Sequence, residues 1–80
     1  MAALRARFLE RLAEDLAAFR EAAPGIVGPL AHRLAGSAGI FGFDELTRLA
    51  QTVDDQWRDD AIDPDALSAL IAEGERVLGN

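Results

Sequence analysis

The side chain best placed for covalent chemistry in this chain is its one imidazole, His32, set in a run of small residues. At helical spacing its neighbours are Ala35, Gly36 and Gly39 in one direction and Pro29, Gly28 and Gly25 in the other. A single histidine in a chain without cysteine excludes multi-histidine and thiolate metal sites, and equally any Cys–His catalytic pair. No metal and no cofactor is therefore expected. Ser37, five residues on, lies off the histidine face and is not marked as a nucleophile. What remains is the ring itself. Neutral imidazole is a nucleophile near pH 7, and the simplest transfer it supports is acceptance of a phosphoryl group on nitrogen. Such a site needs access, a fixed tautomer and a cation for the incoming charge. Arg33 is the only formally charged residue between Pro24 and Phe43.

The elements that must hold this ring are helices. Alanine and leucine dominate an 80-residue chain and β-branched residues are few. Breakers at Pro24-Gly25, Gly42-Phe43-Asp44 and Asp63-Pro64-Asp65 divide it into four segments. The first, 3–22, places Leu4, Phe8, Leu12, Leu16 and Phe19 on one stripe. The second, 25–41, does the same with Val27, Leu30, Leu34, Ala38 and Phe41, provided that Pro29 falls in its first turn. The third, 44–60, carries Leu46, Leu49, Ala50, Val53 and Trp57, with Asp44 as a candidate N-cap. The fourth, 64–78, has Asp63 to cap it, Pro64 at its first position and Gly79 at its end. Short connections imply antiparallel neighbours, so the expected fold is all-α, an up-down-up-down four-helix bundle, with residues 1–80 as a single domain.

Five of the seven glycines lie between residues 25 and 42. Glycine within a helix costs up to about 1 kcal/mol relative to alanine, so the pair Gly36 and Gly39 calls for compensation. Two readings stand at this point. Small residues let two helices pack closely, or they leave an open track beside His32, offset from the Leu30–Leu34 stripe that faces the core. If the second and third helices form a hairpin centred near Gly42-Phe43, the level opposite His32 is close to residue 53. Gln51 and Asp54 bracket that level, and either could accept a hydrogen bond from ring Nδ1, leaving Nε2 free to attack.

Charge narrows the partners. Eight arginines, no lysine and fourteen acids give a net charge of −6, which argues against nucleic acid and against an anionic membrane surface. The amphipathic start acquires Glu10, Glu14 and Asp15 too early for a transit peptide, and Pro24 to Phe43 carries too many polar and breaking residues to span a bilayer. A cytoplasmic monomer is expected. The acidic run from Asp54 to Asp65 lacks the spacing and the glycine of a calcium loop, and Trp57 reads as core or core edge.

His32, Leu34 two on, Gly36 four on, then Ser37, and the stretch Ala38-Gly39-Ile40-Phe41-Gly42-Phe43 followed by Leu46 resemble the active helix of histidine-containing phosphotransfer (HPt) domains. The last stretch looks especially like the phosphotransfer domain of chemotaxis histidine kinases. The resemblance implies that His32 accepts a phosphoryl group from a kinase or an aspartyl phosphate and exchanges it with the aspartate of a receiver domain. It implies that Gly36 gives space beside the phosphorylated ring. Asp54 falls where the chemotaxis-type domains place a glutamate that bonds the histidine, one methylene longer, which leaves Asp54 to reach the ring directly or through a water. Gln51 falls at another polar position near the ring. One departure is plain: the family's frequent lysine, which helps to neutralise the phosphoryl group, is Ala35 here. Arg33, about 100° around the helix from His32, or Arg48 is then a substitute cation, or the receiver brings its own metal and lysine. No glycine-rich nucleotide loop is present, so a carrier rather than a kinase is expected. The Ala35 departure also keeps open a helical module that docks a receiver without being phosphorylated, and the flat glycine-alanine face keeps open a dimerisation module.

Overall fold

Four helices form where the apolar spacing requires them: α1 (Ala2–Glu21), α2 (Pro24–Ile40), α3 (Asp44–Arg58) and α4 (Pro64–Leu78), with no strand among the described residues. The structure, a computed structural model, describes residues 2–21 and 23–79; Ala22, the expected last residue of the first segment, lies outside them, as do Met1 and Asn80. Each helix packs against its neighbour in the chain, α1 also packs against α4, and the diagonal pairs make no close backbone approach among the described residues. The result is a four-helix bundle. Phe8 meets Phe41 and Asp15 meets Arg33, so α1 and α2 run in opposite directions. Gly28 under Trp57, His32 beside Asp54 and Gly39 near Thr47 set the same relation between α2 and α3. No described helix is long and apolar enough to cross a membrane.

The core is the sum of the four stripes. Leu12, Leu16 and Phe19 of α1, Val27 and Leu34 of α2, Leu46 and Val53 of α3, and Leu70 of α4 are almost wholly removed from solvent. Burial of each such side chain stabilises by about 1.5–3 kcal/mol, which is what holds together helices that are individually marginal in water. Phe8 stacks on Phe43 at 5.4 Å and tilts against Phe41 at 5.2 Å, closing the α2–α3 end of the bundle. Leu4, expected on the α1 stripe, is instead 55% exposed, because the stripe runs past the end of its partners. Trp57 is 39% exposed and lies flat over Gly28 rather than in the core, so close that a Cβ on Gly28 would fall inside the indole.

Helix ends follow local chemistry with two departures. Asp63 accepts a hydrogen bond from the Asp65 amide at 2.9 Å, Pro64 opens α4 and Gly79 ends it in the left-handed region, as the sequence predicts. Asp44, expected as an N-cap, is instead the first helical residue of α3, and Phe43 holds the cap position without a side-chain cap bond. There the Asp44 charge still favours the positive helix end. Pro29, expected in a first turn, lies inside α2, which starts earlier, at Pro24. The carbonyl that Pro29 leaves without an amide is that of Gly25, a solvent-exposed residue with open space around it, so water reaches it and the helix survives. Gly42, at φ 77°, closes α2: the Phe43 amide donates to the Ala38 carbonyl and the Gly42 amide to that of Gly39.

The glycines separate into two classes. A Cβ on Gly36 would meet nothing within 4 Å, whereas one on Gly74 would stand 2.5 Å from Cδ2 of the buried Leu16. Gly36→Ala is therefore expected to stabilise the fold by up to about 1 kcal/mol through helix propensity. Gly74→Ala gains the same propensity but overpacks the α1–α4 contact, for a net loss of about 1–2 kcal/mol. Urea denaturation of both variants checks the contrast, and a destabilised Gly36→Ala would mean that this face is packed rather than open.

Candidate functional site

His32 sits in the second turn-pair of α2 on the ridge facing α3, and its side chain is 66% exposed. Ring Nδ1 lies 2.9 Å from Oδ2 of Asp54, which α3 presents at the same level. Asp54 is itself buried, so a fixed carboxylate anchors an accessible ring. The contact is direct: the shorter aspartate side chain reaches the ring without a bridging water. Gln51, the other residue bracketing this level, is exposed and makes no side-chain hydrogen bond among the described residues.

The carboxylate settles the tautomer. The hydrogen bond from His32 is the largest influence holding the Asp54 carboxyl below its ordinary value; burial opposes it and the Arg58 charge adds to it. An ionised carboxylate only accepts. Nδ1 must then carry the hydrogen that Asp54 accepts, and in the neutral ring Nε2 is the nitrogen that keeps a lone pair. On the track below the ring, Gly36 and Gly39 are exposed. A Cβ on Gly36 would meet nothing within 4 Å, and one on Gly39 would meet only the Thr47 side chain, at 3.9 Å. Close packing accounts for Gly28 but not for these two. Ala35 is half-buried against the core edge, and its methyl group carries no charge to offer the ring.

Neither cation singled out from the sequence stands by His32. Arg33 Nη2 donates to Oδ1 of Asp15 at 2.8 Å, on the α1 side of α2. There it lines a cleft of about 280 Å³ with Leu4, Arg7, Phe8, Arg11 and Ser37. The physical reason is a buried acid that attracts the nearest guanidinium. Asp15 falls inside the α1 apolar stripe, between Leu12 and Leu16, and that interruption was the available signal. Arg48 is held by Glu45, three residues before it on the exposed face of α3. The cation beside the ring is Arg58, which sequence reasoning passed over. Its Nη2 stands 3.3 Å from His32 Nδ1 and its Nε donates to Asp54 Oδ1 at 3.5 Å. The signal for it was the four-residue step from Asp54, one helical turn.

Asp15 and Asp54 respond to pH with opposite signs. Burial pushes the Asp15 carboxyl up, more than the pull of Arg33 and Arg11 brings it down. A raised acid weakens the fold once pH climbs from the unfolded value, about 3.9, past the folded one. Asp54, held low, adds stability above that unfolded value and loses it as pH falls through the folded one. Asp15→Asn keeps an acceptor for Arg33 and removes the buried charge. It is expected to stabilise by up to about 1 kcal/mol at pH 7, with the gain gone at pH 3. Thermal melts at the two pH values check this; an equal gain at both would separate it from ionisation.

Among known proteins, the family model described as "Hpt domain" matches residues 3–79. No curated protein and no solved structure matches the chain.

Proposed function

The chain belongs to the Hpt domain family, and from that premise we propose that it is a phosphocarrier in a His–Asp relay, with His32 as the phosphorylated residue and receiver domains as its partners. Members of this family carry phosphoryl groups rather than make them from nucleotide, and the same is proposed for this chain. The observation that supports the reading best is the pairing of an exposed ring with a buried carboxylate: His32 Nδ1 donates to Asp54 at 2.9 Å, and the His32 side chain is 66% exposed.

The chemistry follows from that geometry. The Nε2 lone pair attacks the phosphorus of an aspartyl phosphate in line. The N–P bond forms as the P–O bond to the acyl oxygen breaks, and its electron pair returns to the donor carboxylate. No proton needs to move. The ring becomes positively charged, with its Nδ1 hydrogen still facing Asp54, whose charge offsets it as it develops. The reverse step returns the group to an aspartate. Gly36 and Gly39 act by omission, letting a partner's backbone approach the ring, and Asp54 positions the ring without touching the phosphoryl group. Arg33, Ala35 and Gln51 take no direct part in this step.

Incubation with a phosphorylated receiver from the same organism tests the proposal. The expected result is loss of label from the receiver and its appearance on this chain in an acid-labile, base-stable form. A chain that binds the receiver yet takes no label would favour a docking module instead.

A further inference from the structure

We propose that Arg58 supplies the positive charge that holds the phosphoryl group on His32, in the place of a lysine on the histidine's own helix. The inference deepens the phosphocarrier reading and rests on it.

The arginines are otherwise engaged or distant. Arg20 pairs with Glu75, Arg33 with Asp15, Arg48 with Glu45 and Arg76 with Glu73. Arg5 lies over the Phe43 ring, and Arg7 and Arg11 line the α1–α2 cleft. Among the described residues only Arg58 reaches the ring.

Its position there is poorly satisfied. Nδ1 has one hydrogen and gives it to Asp54 at 2.9 Å. It has no lone pair left for Arg58 Nη2 at 3.3 Å, and a guanidinium has donors only. The remaining bond, from Nε to Asp54 at 3.5 Å, is long. The guanidinium is mostly exposed and sits beside the ring without a good acceptor of its own. A phosphoryl group on Nε2 adds three anionic oxygens within the sweep of this side chain. Arginine pairs with such oxygens in bidentate fashion. The movement needed is a change of side-chain rotamer at the last turn of α3, where the Arg58 side chain is 59% exposed.

Two consequences can be measured. A guanidinium on the phosphoryl oxygens favours their fully ionised form. It also disfavours the cationic ring that keeps its Nδ1 hydrogen, the form in which imidazole is a good leaving group when the N–P bond hydrolyses. The test loads the chain with phosphoramidate, a small donor that needs no partner, and follows the phosphohistidine signal by phosphorus NMR. Arg58→Gln is expected to shorten the phosphohistidine half-life about three- to tenfold and to move the phosphoryl titration to higher pH. Arg58→Lys is expected to restore most of both. A purely structural role for Arg58 would leave the titration where it is. Equal half-lives and titrations in wild type and Arg58→Gln would overturn this inference alone. A wild type that takes no phosphoryl group on His32 would overturn the phosphocarrier reading along with it.

Discussion

His32→Gln is expected to reduce acid-labile phosphorylation to background, a loss of at least about a thousandfold. The reason lies in the inventory of nucleophiles. The chain has one histidine and no cysteine. Its hydroxyl groups would give acid-stable esters, and its carboxylates would give acyl phosphates that base destroys. Stability to base and lability to acid together identify the imidazole. The same substitution should leave the fold nearly intact, because the ring is exposed and its short-range partner is Asp54. Glutamine offers an amide N–H that can donate to the same carboxylate, so Asp54 is not left stranded. Circular dichroism and a thermal melt within a few degrees of wild type are the expected controls. Acid-labile label that survives the substitution would place the chemistry on another residue and sink the assignment.

The architecture was legible because each stripe repeats at a helical period and each break is chemically marked. Asp63, Pro64 and Gly79 bound α4 as read from their types alone. The misses share one cause: a local rule was applied where a tertiary contact or solvent decided. The missing N–H of Pro29 points to a first turn, yet the carbonyl it orphans belongs to exposed Gly25. Leu4 fits the periodicity of α1 but extends beyond the neighbours that would cover it. The size of Trp57 points to the core or its edge, and Gly28 opposite it opens a shelf on which the indole lies partly exposed.

The site was legible to the same depth. A hairpin register counted from Gly42 put Asp54 at the level of His32, and the two meet at 2.9 Å. The count could not choose between Asp54 and Gln51, since both lie within a turn of that level. Burial chooses, and burial depends on how α4 and α2 flank α3. The cations were harder still. An arginine side chain reaches far enough that its partner is whichever acid is buried or nearest, so Arg33 turns to Asp15 and Arg58 to the His32–Asp54 pair. Spacing on one helix does not rank those options; charge placement across helices does.

The sharpest consequence of the His32–Asp54–Arg58 cluster is an inverted ranking of two substitutions at position 54. Asp54→Ala removes the acceptor for Nδ1–H and lets the ring sample both tautomers and more rotamers. Loss of an orienting carboxylate of this kind costs about 10–100-fold. Asp54→Asn looks milder, because it keeps shape and one carbonyl oxygen. However, Arg58 Nε already donates on the Oδ1 side at 3.5 Å, while His32 faces the other atom. The asparagine therefore turns its oxygen to the arginine and its NH2 to the imidazole. That NH2 donates to a bare Nδ1, which forces the ring hydrogen onto Nε2 and removes the attacking lone pair. Asp54→Asn is thus expected to be the more damaging change, with phosphotransfer from a receiver slowed more than about 100-fold. Nitrogen NMR of the His32 ring reads the cause directly: protonation at Nδ1 in wild type, at Nε2 in Asp54→Asn and a mixture in Asp54→Ala. If Asp54→Asn transfers faster than Asp54→Ala with its ring hydrogen still on Nδ1, then Arg58 does not direct the amide, and the tautomer is set by something other than this carboxylate.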